Sequence, residues 1–240
     1  MTEGISLLYK RAYPINDKIS IVIPTVGEVL DYEQDYYSLV SSITAMPMDL
    51  MVQLDDAGID FTAIDEYQLF QMMFMGFQTQ DTSLVFGDLD LTKFEIGVNP
   101  QNEEIVFYDS ENDIMIDRGI YIQIAEALRK INHLQRNNKR PGNEEARKYL
   151  LEKERRRLRK KKNKPAKSEL EPLVIALVNS AECPYDYESI RNITIYQFNS
   201  SLKQVVKRVE YNNRMFGVYS GTVDYKSLSN KDMSWIEQSN

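Results

Sequence analysis

One cysteine, one histidine and one tryptophan occur in 240 residues. The lone Cys183 excludes an internal disulfide and any multi-cysteine zinc site, and the lone His133 removes the two-histidine metal sites. Nothing in "SAECPYDY" marks a cysteine-protease context, so Cys183 is expected to be a small core or boundary thiol and not the nucleophile of a Cys–His pair. No apolar run approaches the roughly 18–20 residues a membrane helix needs. No signal-peptide pattern opens "MTEGISLLYKRAYP". Cytoplasmic assembly is the expectation, and the "NIT" and "NSS" sequons at 192 and 199 then carry no meaning.

Catalytic motifs are missing too. There is no G-x-x-x-x-G-K-[ST] loop, no G-x-G-x-x-G after a strand, no H-E-x-x-H and no G-x-S-x-G elbow. Asp55–Asp56 and Glu103–Glu104 are adjacent acids that read as solvated surface. "KFEIG" around Glu95 lacks the lysine a nuclease core would place there. "DSEND" begins like a calcium loop but has Ile114 where an EF-hand needs glycine and Ile120 where it needs glutamate. These absences predict a protein that is not an enzyme and carries no cofactor or metal.

What is present is an uneven charge. Residues 1–134 hold 23 acids and 7 bases, 135–168 hold 4 acids and 15 bases, and 169–240 hold 9 acids and 7 bases. A chain of net charge -7 therefore concentrates its cations in one segment. The divisions read as an acidic α+β domain over 1–116, helices and a basic linker over 117–168, and a helical domain over 169–240.

The fold class predicted is α+β, predominantly α-helical, with a small antiparallel β element in the N-terminal half. Ile19, Ile21 and Ile23 alternate as a strand that Pro24 stops, and Thr25 with Glu28 has capping-box spacing for the next helix. A short helix should close near Gly58, and another should carry Ile64, Leu69, Met72, Met73 and Phe77. Runs at 83–87, 92–98 and 104–108 read as strands of a hairpin or meander spanning 83–116, which strand 19–23 is placed to join. A helix follows from Asp117 with Tyr121, Ile124, Leu128 and Ile131 inward, and another from Asn143 to Lys164–Pro165. Further on, Ile195, Phe198, Leu202, Val205 and Val209 form one stripe, "FGVYSG" supplies two glycine turns, and Trp235 is placed to anchor the C-terminus.

The densest cationic block is "EKERRRLRKKKNKPAK" at 152–167. On a helix, its bases from Arg155 to Lys162 cover every face. A membrane-lying helix would need a broad apolar face, which Leu151 and Leu158 alone do not provide. Base stacking has no aromatic to use between 150 and 168. Three readings remain: a solvated helix end, a nucleic-acid arm, and electrostatic docking on an acidic partner or on this chain's own acidic half. The candidate docking cations are Arg155, Arg156, Arg157, Arg159, Lys160, Lys161 and Lys162. The candidate apolar partner surface is Met72, Met73, Phe77, Phe198 and Leu202.

"KISIVIPTVGEVLDYEQDYYSLV" resembles the opening of small morphogenesis proteins of tailed bacteriophages, with a strand followed by a P-T-[VL]-G-E helix start. "YDYESIRNITIYQFNSSLKQVVKRVEYN" and "FGVYSGTVDYKSLSNKDMSWIE" are similar to the C-terminal helical part of tail assembly chaperones or virion-associated proteins of phages of Gram-positive hosts. The resemblance covers about residues 13–80 and 170–237 and implies a non-enzymatic assembly role. Tail assembly chaperones coat the tape measure protein, so phage tail or other virion proteins are the implied partners. A homo-oligomer is compatible with this reading, nucleic acid is a lesser partner, and no membrane is implied. The alternatives are a permanent neck, tail or baseplate component, or a nucleic-acid-binding accessory protein using 152–167.

Overall fold

The computed structural model describes residues 6–162 and 167–236, with no side-chain account of 161 and 162. Strand β1 (Ala12–Pro14) pairs antiparallel with β2 (Ser20–Val22), Tyr13 lying opposite Ile21. Ile19, Ile21 and Ile23 are all buried, as their alternation requires. Helix α1 (Val26–Asp31) follows, then α2 (Glu33–Ile43), α3 (Met51–Asp56) and α4 (Glu66–Phe77). Gly58 does end α3: at φ 74° it takes the left-handed position that a β-carbon disfavours, and the Ile59 N–H reaches back to the Leu54 carbonyl at 2.8 Å.

Two expectations about the β element are corrected. The 83–87 run is a short helix, α5 (Ser83–Phe86), because consecutive Val85 and Phe86 are both buried and a strand would send one of them outward. Strand 19–23 does not join the later strands. Those form a separate antiparallel sheet of β3 (Glu95–Val98), β4 (Ile105–Asp109) and β5 (Ile114–Ile116), with β4 central. β5 lies across the "DSEND" turn, where Asp113 has φ 50°. The fold is α+β and mostly helical, with both small sheets in the N-terminal half.

Helix α6 (Arg118–Asn132) is capped by Asp117 and ends on His133 in the left-handed conformation. Helix α7 (Glu144–Lys162) begins beyond Gly142, and the end expected at Lys164–Pro165 lies outside the described residues. Then come α8 (Leu170–Val178) and the long α9 (Ile195–Tyr219). α9 runs through Gly217, so only Gly221, at φ 75°, makes the second of the two glycine turns expected.

The main hydrophobic core draws side chains from each of the three segments, including Ile21, Tyr36, Phe70, Phe107, Tyr121, Leu170, Ile195 and Phe198. The P-T-V-G-E run at 24–28 is the clasp that joins the N-terminal half to the start of α9. The Val26 N–H donates to the Ile193 carbonyl at 2.9 Å, and the Ile195 N–H donates to the Pro24 carbonyl at 2.8 Å. Two helix starts thus meet back to back, each with its own capping box: Thr25 with Glu28, and Thr194 with Gln197. Gly27 allows the approach, since a β-carbon there would stand 3.1 Å from the Arg191 carbonyl oxygen.

Candidate interaction surfaces

The basic helix α7 has a definite inner face. Leu151 is buried, with Leu150 and Leu158 packed beside it, in a second cluster containing Met51, Val52, Leu54, Phe61 and Leu69. Arg155 lies on the same face and reaches Asp55 and Asp56 at 2.6 Å each. Arg147, a little over two turns earlier, lies 3.6 Å from Asp60 and 3.8 Å from Asp55, with its guanidinium over the Phe61 ring. Its Nε is buried without a hydrogen-bond partner. Contact with α3 therefore uses the 147, 151, 155, 158 stripe, a helical spacing present in the sequence but masked by the bases around it.

The other candidate cations divide. Arg156 pairs with Glu152 and Arg157 with Glu154, both within the helix. Arg159 and Lys160 are exposed, with no acid partner among the described residues. The side chains of Lys161 and Lys162 lie outside what the structure describes.

The candidate apolar surface is not one surface. Phe77 and Phe198 are buried in the main core and offer no face to a partner. α4 turns Tyr67, Phe70, Phe74 and Phe77 inward, where Phe74 stacks on Phe107 with ring centroids 3.6 Å apart. Met72, 51% exposed, and Met75 lie on the outer side, while Met73 packs against both clusters. Leu202 is half-buried against the main core.

α9 carries the surface that the five-residue stripe foreshadowed. Its apolar positions continue at alternating spacings of three and four: 195, 198, 202, 205, 209, 212, 216, 219. That is the seam of a coiled coil, with Asn212 as its one polar member in the exposed half. Ile195 and Phe198 fill the core, and Leu202 and Val205 pack at its edge. Beyond them the seam is left exposed by the described residues: Val209 is 47% exposed, Phe216 76%, and Tyr219 is exposed as well. A strap from 221 to 236 lies against a different side of the helix. There Gln204 donates to the Trp235 carbonyl, Arg214 pairs with Asp232, and Arg208 stacks over the Trp235 ring.

A cavity of about 390 Å³ opens between the start of α4 and the 136–141 connection, with Met46, Met48 and Ile64 on its apolar side. The charges at its floor are already matched. Arg118 bridges Asp65 and Glu104, and Glu66 is held by Arg129 at 3.0 Å and by Arg136. Burying Glu66 and Arg129 together, at 5% and 6% exposure, fixes the α4–α6 contact more than it stabilises it. Cys183 and His133 have separate surroundings: the thiol caps its own turn at the Tyr185 N–H, and His133 shares a hydrogen bond with Ser200. Among the described residues, no group of three or more His, Cys, Asp or Glu side chains is placed to hold a metal ion, and no helix is long and apolar enough to cross a membrane.

Residues 160–240 match the family model of the YomV second domain. The match spans α8, α9 and the strap, the part that holds the exposed seam. It suggests a phage-derived protein and carries no indication of a tail assembly chaperone. No curated protein and no solved structure gives a significant match to the chain.

Proposed function

We propose that this chain is a non-enzymatic assembly protein of a phage particle, and specifically a tail assembly chaperone that engages the tape measure or tail tube protein in the host cytoplasm. The observation that carries the reading is the uncovered half of the α9 seam, with Val209, Phe216 and Tyr219 one above another. A seam at coiled-coil spacing takes another helix, knobs into holes, and a long helical chain presents many equivalent docking stretches. Single polar Asn212 weakens such a contact and fixes its register, which suits a partner that must later be released. Exposed Met72 and Met75 add a second adaptable surface. The N-terminal resemblance supports the same reading from the other end of the chain.

Co-expression with the tape measure protein tests it. The wild-type chain should retain the tape measure protein in solution and co-purify with it, and V209E/F216E should lose capture while keeping the same helical content. Failure of the wild-type chain to retain either tail protein overturns the chaperone reading. Stoichiometric recovery of the chain from purified particles would instead make it a permanent virion component.

A further inference from the structure

Docking of α7 through its 147, 151, 155, 158 face leaves an outward side on which cations outnumber the exposed acids Glu145 and Glu152. Tyr149, Lys153, Arg156 and Lys160 follow one another by four, three and four residues, and all are exposed, Tyr149 to 65%. Lys148 and Arg159 flank this stripe, also exposed. Lys148, Lys153, Arg159 and Lys160 have no acid partner among the described residues, and Arg156 has only Glu152, in a pair that is itself largely exposed. The stripe from 149 to 160 runs about 17 Å along the axis at the usual rise of ~1.5 Å per residue.

We propose that the outward face of α7 binds duplex DNA through its phosphates, without reading sequence. Leu151 and Leu158, too few to lay this helix on lipid, are moreover turned inward into the second cluster. A protein partner is disfavoured by the same face, because interface cores are depleted in lysine and this stripe has no apolar centre to exclude water. Phosphate contacts need no such centre. Duplex DNA presents a charge about every 1.7 Å of its axis, and each contact releases counterions. Tyr149 stands alone among the cations, so no stacking platform for single strands exists, but its hydroxyl can donate to a phosphate oxygen. The acidic remainder of the chain does not prevent this, since charges beyond about 10 Å are screened at ordinary salt. This inference is independent of the assembly role, which uses α9.

Fluorescence anisotropy of the full chain with a short labelled duplex of random sequence, between about 50 and 200 mM salt, is the test. Five phosphate contacts from Lys148, Lys153, Arg156, Arg159 and Lys160 should give a log–log salt slope of about −4.5. The K153Q/R156Q/K160Q variant should lose about three units of that slope and most of its affinity at low salt. None of the three side chains touches α3, so the circular dichroism spectrum should not change. K148Q/R159Q, on the flanks, provides a second variant and should lose about two units. Absence of binding at about 50 mM salt overturns the proposal, as does unchanged binding by both variants. Polyglutamate competing as well as DNA at equal charge also overturns it, and would assign the face to acidic proteins.

Discussion

The Glu33 carboxylate of α2 accepts a hydrogen bond from the Ser168 hydroxyl at 2.6 Å, across 135 positions of sequence. Its other oxygen accepts from the Glu169 and Leu170 N–H groups at 2.7 and 2.9 Å. Glu33 thus caps α8 from another part of the fold, taking up donors that the first turn of a helix leaves free. Burial works to raise the Glu33 carboxyl, but the bonds from Ser168, Leu170 and Glu169 outweigh it and hold it below the ordinary carboxylate range.

Glu33→Ala should therefore destabilise the chain by about 1–2 kcal/mol, the usual cost of losing a helix cap. The sign with pH follows from the lowered carboxyl. Its contribution is complete above the unfolded-state value and disappears as pH falls through the folded-state one. Urea melts across the acid range should show the wild type losing more stability than Glu33→Gln. Parallel curves would mean that the cap carries no weight.

Gly27 and Gly76 make opposite predictions from the same substitution. In α4, nothing lies within 4 Å of a β-carbon built on Gly76, so Gly76→Ala should stabilise by up to about 1 kcal/mol through helix propensity. In α1, the β-carbon of Gly27→Ala meets the Arg191 carbonyl oxygen at 3.1 Å, just ahead of the segment that Ile193 and Ile195 bond to Val26 and Pro24. That clasp must open slightly, so Gly27→Ala should lower the melting temperature. An increase for both would show that the clasp yields freely.

Local signals in this chain were legible where the cause is local. The capping box of Thr25 and Glu28, the Gly58 stop and the Tyr121–Ile131 face of α6 each follow from spacing alone, and each is where the spacing puts it. Val85 and Phe86 are ambiguous because a three-residue apolar run, 84–86, has the same composition in a buried strand and a buried helical turn. Phe77 and Phe198 lie on helical stripes, but whether a stripe is covered depends on partners distant in sequence. The clasp was illegible for the same reason: P-T-V-G-E carries no chemistry by itself and gains meaning only against Ile193 and Ile195. In α7 the uniform run of bases hid a face that Arg147, Leu151, Arg155 and Leu158 define.

Seating of α7 on α3 gives a third prediction. Leu151→Ala should cost about 2 kcal/mol locally, less than a deep core leucine, because the second cluster lies at the edge of the fold. Arg155→Ala should cost less than Leu151→Ala, since its pairs with Asp55 and Asp56 are partly solvated. Both should appear as faster amide exchange along 144–160, with α6 and α9 unchanged. Raised salt should mimic Arg155→Ala and leave Leu151→Ala as it is. Global rather than local acceleration would show that α7 is integral to the folding unit.

His133 provides the fourth, in a pH window the carboxylates do not share. Burial lowers its imidazole below the ordinary histidine value, and the nearby Lys203 charge adds to that. The unfolded chain then takes up this proton before the folded one does. Stability is complete above about pH 6.5 and falls as pH drops towards the folded-state value. His133→Asn removes the titration and keeps a residue that tolerates the left-handed backbone, φ 54°, on which α6 ends. As pH falls below about 6.5 the wild type should lose stability that the variant keeps. A wild-type profile as flat as the variant's would place the protonated imidazole in the folded state at no cost, with the Ser200 hydroxyl as its acceptor.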